Sequence, residues 1–271
     1  MSMVRPILAV LYREVLKLAR QRTRLLASMV RPMIWLLVIG SGFGAVLGGS
    51  GGLSYQQFLA PGVLGMTMLF GAMLSALTMV YDKESGVMRM LVIAPFPHYW
   101  IVIVKTLSAV VAALLQAVML LVLLALLGYL RFSSIDLALL VAGLVLVPFA
   151  CAAIGMLAAA FTRTLDNFAA VMNFVIFPVF FLSGSLYPIT QLPPWLKAVA
   201  MLNPYTYGVD LLKHALLGGV EGRFAPEFAV GLDVAVLAGF TLGAVALACV
   251  RFSSETAFDS VIRVLTGKKT G

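Results

Sequence analysis

Long uncharged runs of apolar residues alternate with short polar segments along the chain. About 18 or more consecutive apolar residues are enough to cross the hydrocarbon core of a bilayer as a helix. Strands of a membrane barrel would instead alternate in polarity over about 10 residues. Six runs contain no Asp, Glu, Lys or Arg, and they cover residues 33–48 (extended backwards by 25–30), 58–80, 106–127, 137–160, 168–186 and 234–250. The pattern predicts an all-α membrane protein with six transmembrane helices.

Composition agrees with a membrane class. Hydrophobic residues make up 62% of the 271 positions and charged residues 11%, against about 25% charged in an ordinary soluble domain. We expect one transmembrane domain over residues 1–271, with an interfacial helix at 1–24, the six spans within 25–250 and a cytoplasmic tail at 251–271. The two cysteines lie inside predicted spans, which argues against a disulfide or a metal site.

The placement of the positive charges predicts the orientation. Of the 19 Lys and Arg residues, only Arg131, Lys197, Lys213 and Arg223 fall on one side of the predicted spans, and the other 15 fall on the opposite side. Cytoplasmic loops carry the excess of Lys and Arg in membrane proteins. Both termini are therefore predicted to be cytoplasmic, and the net charge of +8 does not indicate nucleic acid as a partner.

Residues 4–24 have the spacing of an amphipathic helix, with apolar residues recurring every three or four positions and Arg13, Lys17 and Arg20 between them. Such a helix can lie on the membrane surface with its basic residues toward anionic lipid. The alternative is a plain cytoplasmic extension of the first span.

The polar segment 81–100 interrupts the apolar runs on the cytoplasmic side. Residues 82–93 predict a helix of about three turns, which Pro95 and Pro97 would end. Its charges of both signs alternate with apolar residues, as in a helix that fits a groove on another protein. An ordinary interfacial turn explains the local pattern equally well.

Residues 182–222 predict two short helices on the outer side. Pro193 and Pro194 would open the first, and Asn203–Pro204 would separate it from the second. Both are too short and polar to span, so we expect them partly inserted at the outer leaflet, with Trp195, Tyr205 and Tyr207 at interfacial depth. Asp210 can reach Lys213 or His214 one turn later, which suggests a surface network in preference to a catalytic trio.

The sequence lacks the motifs of several classes of enzyme. There is no Gly-x-x-x-x-Gly-Lys-[Ser/Thr] loop, no His-Glu-x-x-His and no Gly-x-Ser-x-Gly. The spans lack the carboxylates that ion-coupled carriers usually hold at mid-membrane. A membrane-embedded enzyme would be expected to have more acidic or His residues near the cytoplasmic face than Asp82, Glu84 and Asp166. The energy source is therefore expected on another polypeptide.

Three features resemble permeases of the type-2 ABC exporter family, which includes bacterial drug, lipo-oligosaccharide and polysaccharide export permeases. One is the arrangement of a basic N-terminal helix, six spans and cytoplasmic ends. Another is the polar segment from Glu84-Ser85-Gly86 to Ala94-Pro95. The most specific is the run Phe181-Leu-Ser-Gly-Ser-Leu-Tyr-Pro188, followed by Leu192-Pro-Pro-Trp-Leu196 and Leu202-Asn-Pro-Tyr-Thr-Tyr-Gly-Val-Asp210.

The resemblance implies a subunit of the bacterial inner membrane that exports a substrate and is not itself an enzyme. Two copies would form the pathway, each docked to a separate P-loop ATPase that binds ATP and Mg²⁺. The helix at 82–93 would be the coupling helix seated in that ATPase, with contacts from Asp82, Lys83, Glu84, Gly86, Arg89, Leu91 and Pro95. The two outer helices would form a re-entrant gate with Gly184, Tyr187, Pro188, Pro194, Trp195, Asn203, Pro204, Tyr205 and Asp210.

The substrate class is open at this stage. Met, aliphatic and Phe side chains, among them Phe174, Phe177, Phe180 and Phe181, favour an amphipathic substrate, which could be drug-like, lipid-linked or a glycan. An ion-coupled secondary carrier is the alternative function.

Overall fold

The computed structural model describes Tyr12 and residues 22–47, 53–87 and 99–266. The predicted surface helix at 4–24 lies almost wholly outside these residues. The helices are α1 (Arg22–Ile34, a π-helical turn at Trp35–Ile39, and Gly40–Leu47), α2 (Tyr55–Glu84), α3 (Tyr99–Leu126), α4 (Leu137–Phe161), α5 (Leu165–Phe181), α6 (Pro194–Leu202), α7 (Pro204–Leu216) and α8 (Val230–Thr266). Short 3₁₀ turns lie at Phe132–Ser134 and Ile189–Gln191.

Five helices of the described chain are long and apolar enough to cross a membrane. They are Ser28–Val46 within α1, then α2, α3, α4 and Val230–Ser253 within α8. The all-helical prediction is confirmed for the described residues. The fifth predicted span is represented by α5, which is apolar but has only 17 residues.

One predicted boundary is wrong. The fifth run was expected to be helical to Leu186, yet α5 ends at Phe181. Gly184 has a positive φ of 74°, a conformation that turns the chain out of a right-handed helix and that residues with a Cβ adopt only at a cost. The sixth span was expected over residues 234–250, and the structure has a candidate span at Val230–Ser253. Helix α8 itself continues beyond this span to Thr266, so much of the predicted tail is helical.

Helix α2 forms the centre of the bundle. Ser54 caps its N-terminus in a capping box with Gln57, in which each side chain accepts the other's backbone N–H. Most of α2 is buried, and it packs against α1, α3, α4, α5 and α7. Its glycines allow close approach: a Cβ on Gly62 would lie 2.5 Å from the Ser185 carbonyl oxygen, and one on Gly65 would lie 2.7 Å from the Tyr205 hydroxyl.

Substitution of Gly62 tests this packing. Gly62→Ala places a methyl group against the Ser185 backbone, which cannot rotate away. We expect the detergent-solubilised protein to lose about 1–3 kcal/mol of stability, as overpacked cores do, and to unfold at a lower temperature. Gly243→Ala is the matched control, because a Cβ on Gly243 of α8 meets nothing within 4 Å. Equal unfolding temperatures for both variants would contradict the packing described.

Candidate functional site

Asp82, Lys83 and Glu84 form the last turn of α2, so the prediction that they begin a separate helix is wrong. The helix ends because Gly86, with a φ of 78°, turns the chain and directs its N–H to the Lys83 carbonyl. Arg89, Leu91 and Pro95 lie outside the described residues, and their assignment to an ATPase contact stays a prediction.

Lys83 and Glu84 hold the tight turn between α4 and α5. The Lys83 ammonium donates to the carbonyl oxygens of Ala159 at 2.9 Å, Ala160 at 3.3 Å and Thr162 at 3.4 Å. The Glu84 carboxylate accepts the backbone N–H of Leu165 at 2.7 Å. A cation at the C-terminus of α4 and an anion at the N-terminus of α5 each complement the helix dipole they face. Adjacent residues of α2 therefore join two other helices.

Asp82 adds a third connection. It forms an ion pair with Lys105 of α3, whose ammonium also donates to Thr78 at 3.3 Å. Three of the charges that the sequence suggested for a partner's groove thus contact the chain's own helices α3, α4 and α5. We call Asp82, Lys83 and Glu84 with these contacts the cytoplasmic joint, after the side on which the sequence predicts them.

On the outer side, the chain turns sharply after α5. A Cβ on Gly184 would lie 2.9 Å from the Ile189 side chain and 3.3 Å from the Lys213 ammonium, so the turn packs tightly as well as needing a positive φ. The Tyr187 hydroxyl donates to the Phe181 carbonyl at 2.7 Å, and Pro188 precedes the 3₁₀ turn. The turn is thereby fixed to the end of α5.

The two short outer helices are where the sequence predicted them. Pro194 begins α6 and Pro204 begins α7, each in the first turn, where a missing N–H costs nothing. Asn203 accepts the Tyr205 N–H and donates to the Val179 carbonyl at 2.7 Å, which ties this corner to α5. Whether the pair is re-entrant stays a prediction.

The three aromatic residues of this segment differ in exposure. Trp195 is 68% exposed, as a residue facing lipid or water would be. Tyr205 and Tyr207 are 1% and 8% exposed, and the Tyr207 hydroxyl donates to the Met201 carbonyl at 2.9 Å. The two tyrosines pack inside the protein and do not face headgroups, contrary to expectation.

The group around Asp210 is buried, so its interpretation as a surface network is wrong. Asp210 is 2% exposed and accepts the backbone N–H groups of Glu227 at 2.9 Å and Phe228 at 2.9 Å. The His214 Nε2 lies 3.7 Å from an Asp210 carboxylate oxygen and 2.9 Å from the Phe228 carbonyl oxygen. The segment after α7 therefore folds back onto α7.

Glu227 connects this segment to the turn after α5. Its carboxylate accepts the N–H of Ile189 at 2.7 Å and of Thr190 at 3.0 Å, and lies 3.8 Å from the Lys213 ammonium. Lys213 is 1% exposed. Burial lowers the pKa of Lys213, while the Asp210, Glu227 and Asp233 carboxylates act in the opposite direction.

Sequence reasoning did not assign a role to Glu227 or Asp233. Glu227 lies in a loop and accepts backbone N–H groups nearly 40 positions away, for which no local spacing gives a signal. Asp233 offered one, because it is the acidic residue of the first turn of the apolar helix α8. An acidic residue within a membrane span usually has a charge partner or a functional role.

A cavity of about 250 Å³ lies between α1, α2 and α3. Its lining combines apolar residues with a few polar ones, namely Ser28, Arg31, Pro32, Met66, Thr67, Phe70, Leu74 and Gln116. The Arg31 guanidinium lies 3.9 Å from the centre of the Phe70 ring. Phe70 is midway along α2, and Arg31 lies within the candidate span Ser28–Val46.

The phenylalanines of α5 divide into two sets. Phe174 and Phe177 are exposed. Phe180 and Phe181 make edge-to-face contacts with Trp35 of α1 at 5.4 Å and 5.8 Å, so they hold α5 to α1.

Glu227→Gln tests the outer network. The amide keeps an acceptor for one of the two backbone N–H groups, places its NH₂ against the other and removes the charge that faces buried Lys213. Leaving a buried ammonium with less compensation costs about 1–3 kcal/mol, so thermal unfolding should start earlier. Glu221→Gln, an exposed acid of the same loop, should unfold like the wild type. Indistinguishable behaviour of the two variants would contradict the network.

Comparison with known proteins identifies the family. The family model described as ABC-2 type transporter matches residues 5–217. The chain is 30% identical to Nodulation protein J of Rhizobium leguminosarum bv. trifolii over 196 residues, which are 72% of this chain and 74% of that protein. It is 27% identical to the putative transport permease ycf38 of Pyropia yezoensis (77% and 73%) and 26% identical to the inner membrane transport permease YadH of Escherichia coli K12 (72% and 75%). The chain belongs to the ABC-2 type transporter family.

Proposed function

We propose that this chain is the membrane subunit of an ATP-driven exporter and works with a separate P-loop ATPase. Family membership carries the proposal, and the absence of a P-loop in this sequence supports ATP and Mg²⁺ binding by the partner subunit. Six spans with cytoplasmic ends in the inner membrane, α5 being the short fifth span, agree with the charge distribution. A second copy would complete the pathway.

The cytoplasmic joint gives a physical route for coupling. An ATPase that moves the segment after Gly86 would pull on the end of α2. Because Asp82, Lys83 and Glu84 bind α3, α4 and α5, the ends of four helices would move together. Rigid elements joined in this way carry coupling without any large change inside the helices.

On the outer side, the short helices α6 and α7 would serve as the gate. They are tied to α5 through Asn203 and Val179 and to the following loop through Asp210. A tilt of α5 at its cytoplasmic end would therefore reach the gate along one continuous helix.

The cavity beside α1 supports an amphipathic substrate with an acidic group. Met66, Phe70 and Leu74 offer apolar walls, while Arg31 offers a cation within the membrane part of the chain. The exposed Phe174 and Phe177 of α5 would suit an acyl or aromatic moiety. A lipid-linked or drug-like anion fits these walls better than a small ion, and family membership argues against the ion-coupled carrier.

The first test is purification of the tagged chain from its native membranes. We expect a protein with P-loop peptides to co-purify, identified by mass spectrometry, and the complex to hydrolyse ATP. A chain without an ATPase partner that catalyses gradient-driven uptake in proteoliposomes would contradict the proposal and favour the carrier.

Two variants separate docking from coupling. Arg89→Ala should release the ATPase, because a charged contact to the partner is lost. Glu84→Ala should keep the ATPase bound, because Glu84 contacts this chain's own Leu165, but should lower ATP hydrolysis several-fold. Arg131→Ala, at the opposite end of the spans, is the control for both. Wild-type binding and hydrolysis in both variants would refute the coupling role of this segment.

A further inference from the structure

A buried group of ionisable side chains lies where α7, the loop at 217–229 and the start of α8 meet. Asp233, in the first turn of α8, is 0% exposed. Within the described part of the chain, neither of its carboxylate oxygens has a hydrogen-bond partner. An unsatisfied buried carboxylate costs several kcal/mol, so its position needs an explanation.

The charges of this group do not balance. Among the described residues of this group, Asp210, Glu227 and Asp233 are three acids and Lys213 is the one lysine. His214, which is partly exposed, lies against the two aspartates. Metal binding requires ionised carboxylates. With all three acids ionised, Lys213 protonated and the imidazole neutral, the group has two negative charges in excess. One divalent cation would balance them.

The donor atoms are close enough to share a cation. Single donor atoms of Asp210, His214 and Asp233 all lie within 4.8 Å of one another. The His214 Nε2 is 3.7 Å from Asp210 Oδ2 and 3.9 Å from Asp233 Oδ2. Donors bound to one zinc or manganese ion at roughly 2.0–2.3 Å are separated by about 3–4.5 Å, so small side-chain movements suffice.

The Asp233 carboxylate faces the other two donor residues. Asp233 Oδ2 faces the imidazole and has no other partner among the described residues. Asp210, by contrast, is oriented by the backbone N–H groups of Glu227 and Phe228, as outer contacts orient ligands in metal sites. In the structure, His214 Nε2–H donates to the Phe228 carbonyl oxygen.

We propose that Asp210, His214 and Asp233 bind one divalent transition-metal cation. Imidazole favours zinc and carboxylate oxygens favour manganese, so this mixed set suits either ion. Ligation through Nε2 requires the neutral tautomer that carries its proton on Nδ1, so the proton moves from Nε2 to Nδ1 by exchange with solvent. The Phe228 carbonyl oxygen then becomes available as a fourth ligand.

The cation would fasten three parts of the outer region. Asp210 and His214 belong to α7, Asp233 to α8, and Phe228 to the loop between them. A metal ion at this point stabilises the arrangement in which α7 rests against α8. The cation would thereby limit the movement of α7 relative to α8, whether or not an ATPase drives transport.

Metal binding to the purified full-length chain tests the proposal without any ATPase. The protein is treated with chelator, and Zn²⁺ and Mn²⁺ are then titrated separately, with bound metal counted by mass spectrometry and thermal unfolding followed in parallel. We expect about one ion per chain and a raised unfolding temperature with the preferred metal. Asp233→Asn should weaken binding about tenfold or more.

The variants distinguish a lost ligand from a misfolded protein. Asp233→Asn replaces an unpaired buried carboxyl group with a neutral amide of the same shape, so without metal it should unfold at the same or a higher temperature than the wild type. His214→Gln should weaken binding as well, whereas Asp136→Asn, at the N-cap of α4 on the same side, should bind like the wild type. No binding by the folded wild type, or equal binding by Asp233→Asn, would overturn the proposal.

Discussion

Two adjacent residues, Lys83 and Glu84, hold opposite ends of two different helices, and the half of the bundle predicted to face the cytoplasm depends on this connection. The last carbonyls of α4 and the first N–H groups of α5 have no partner within their own helices. Lys83 donates to two of these carbonyls, those of Ala159 and Ala160, and Glu84 accepts one of the N–H groups. Since Asp82 binds Lys105 of α3, one turn of α2 fixes the ends of three neighbouring helices. A segment that follows this turn is well placed to move them as a unit.

The outer half is held by a different means. Here the polar groups are buried inside the protein, where Asp210 and Glu227 accept backbone N–H groups from segments distant in sequence. Lys213 compensates part of their charge, and the excess falls on Asp233. Packing around Gly62 and Gly65 brings this region against α2, so the central helix connects the outer network with the cytoplasmic joint.

Sequence reasoning identified the family, the helical class and the two outer helices, because each depends on local pattern: uncharged runs for spans, and prolines at 194 and 204 for helix starts. It failed where a partner lies far along the chain. The charges of Asp82–Glu84 looked available for another protein, since no spacing rule connects Glu84 to Leu165. Asp210 was predicted to lie at the surface for the same reason. The residues that bury it, Glu227 and Phe228, come after α7 in the chain. The early end of α5 follows from the backbone conformation at Gly184, which the apolar run concealed.

The central claim is that the segment directly after the cytoplasmic joint rests on a separate ATPase. Replacement of Leu91 by a photoreactive phenylalanine analogue, followed by illumination of cells, measures that contact where it occurs. The account predicts a covalent product between this chain and a P-loop ATPase. The same analogue at Phe132, in the opposite loop, should give no such product. A Leu91 variant that cross-links only to lipid or to this chain, while the protein remains active in transport, would contradict it.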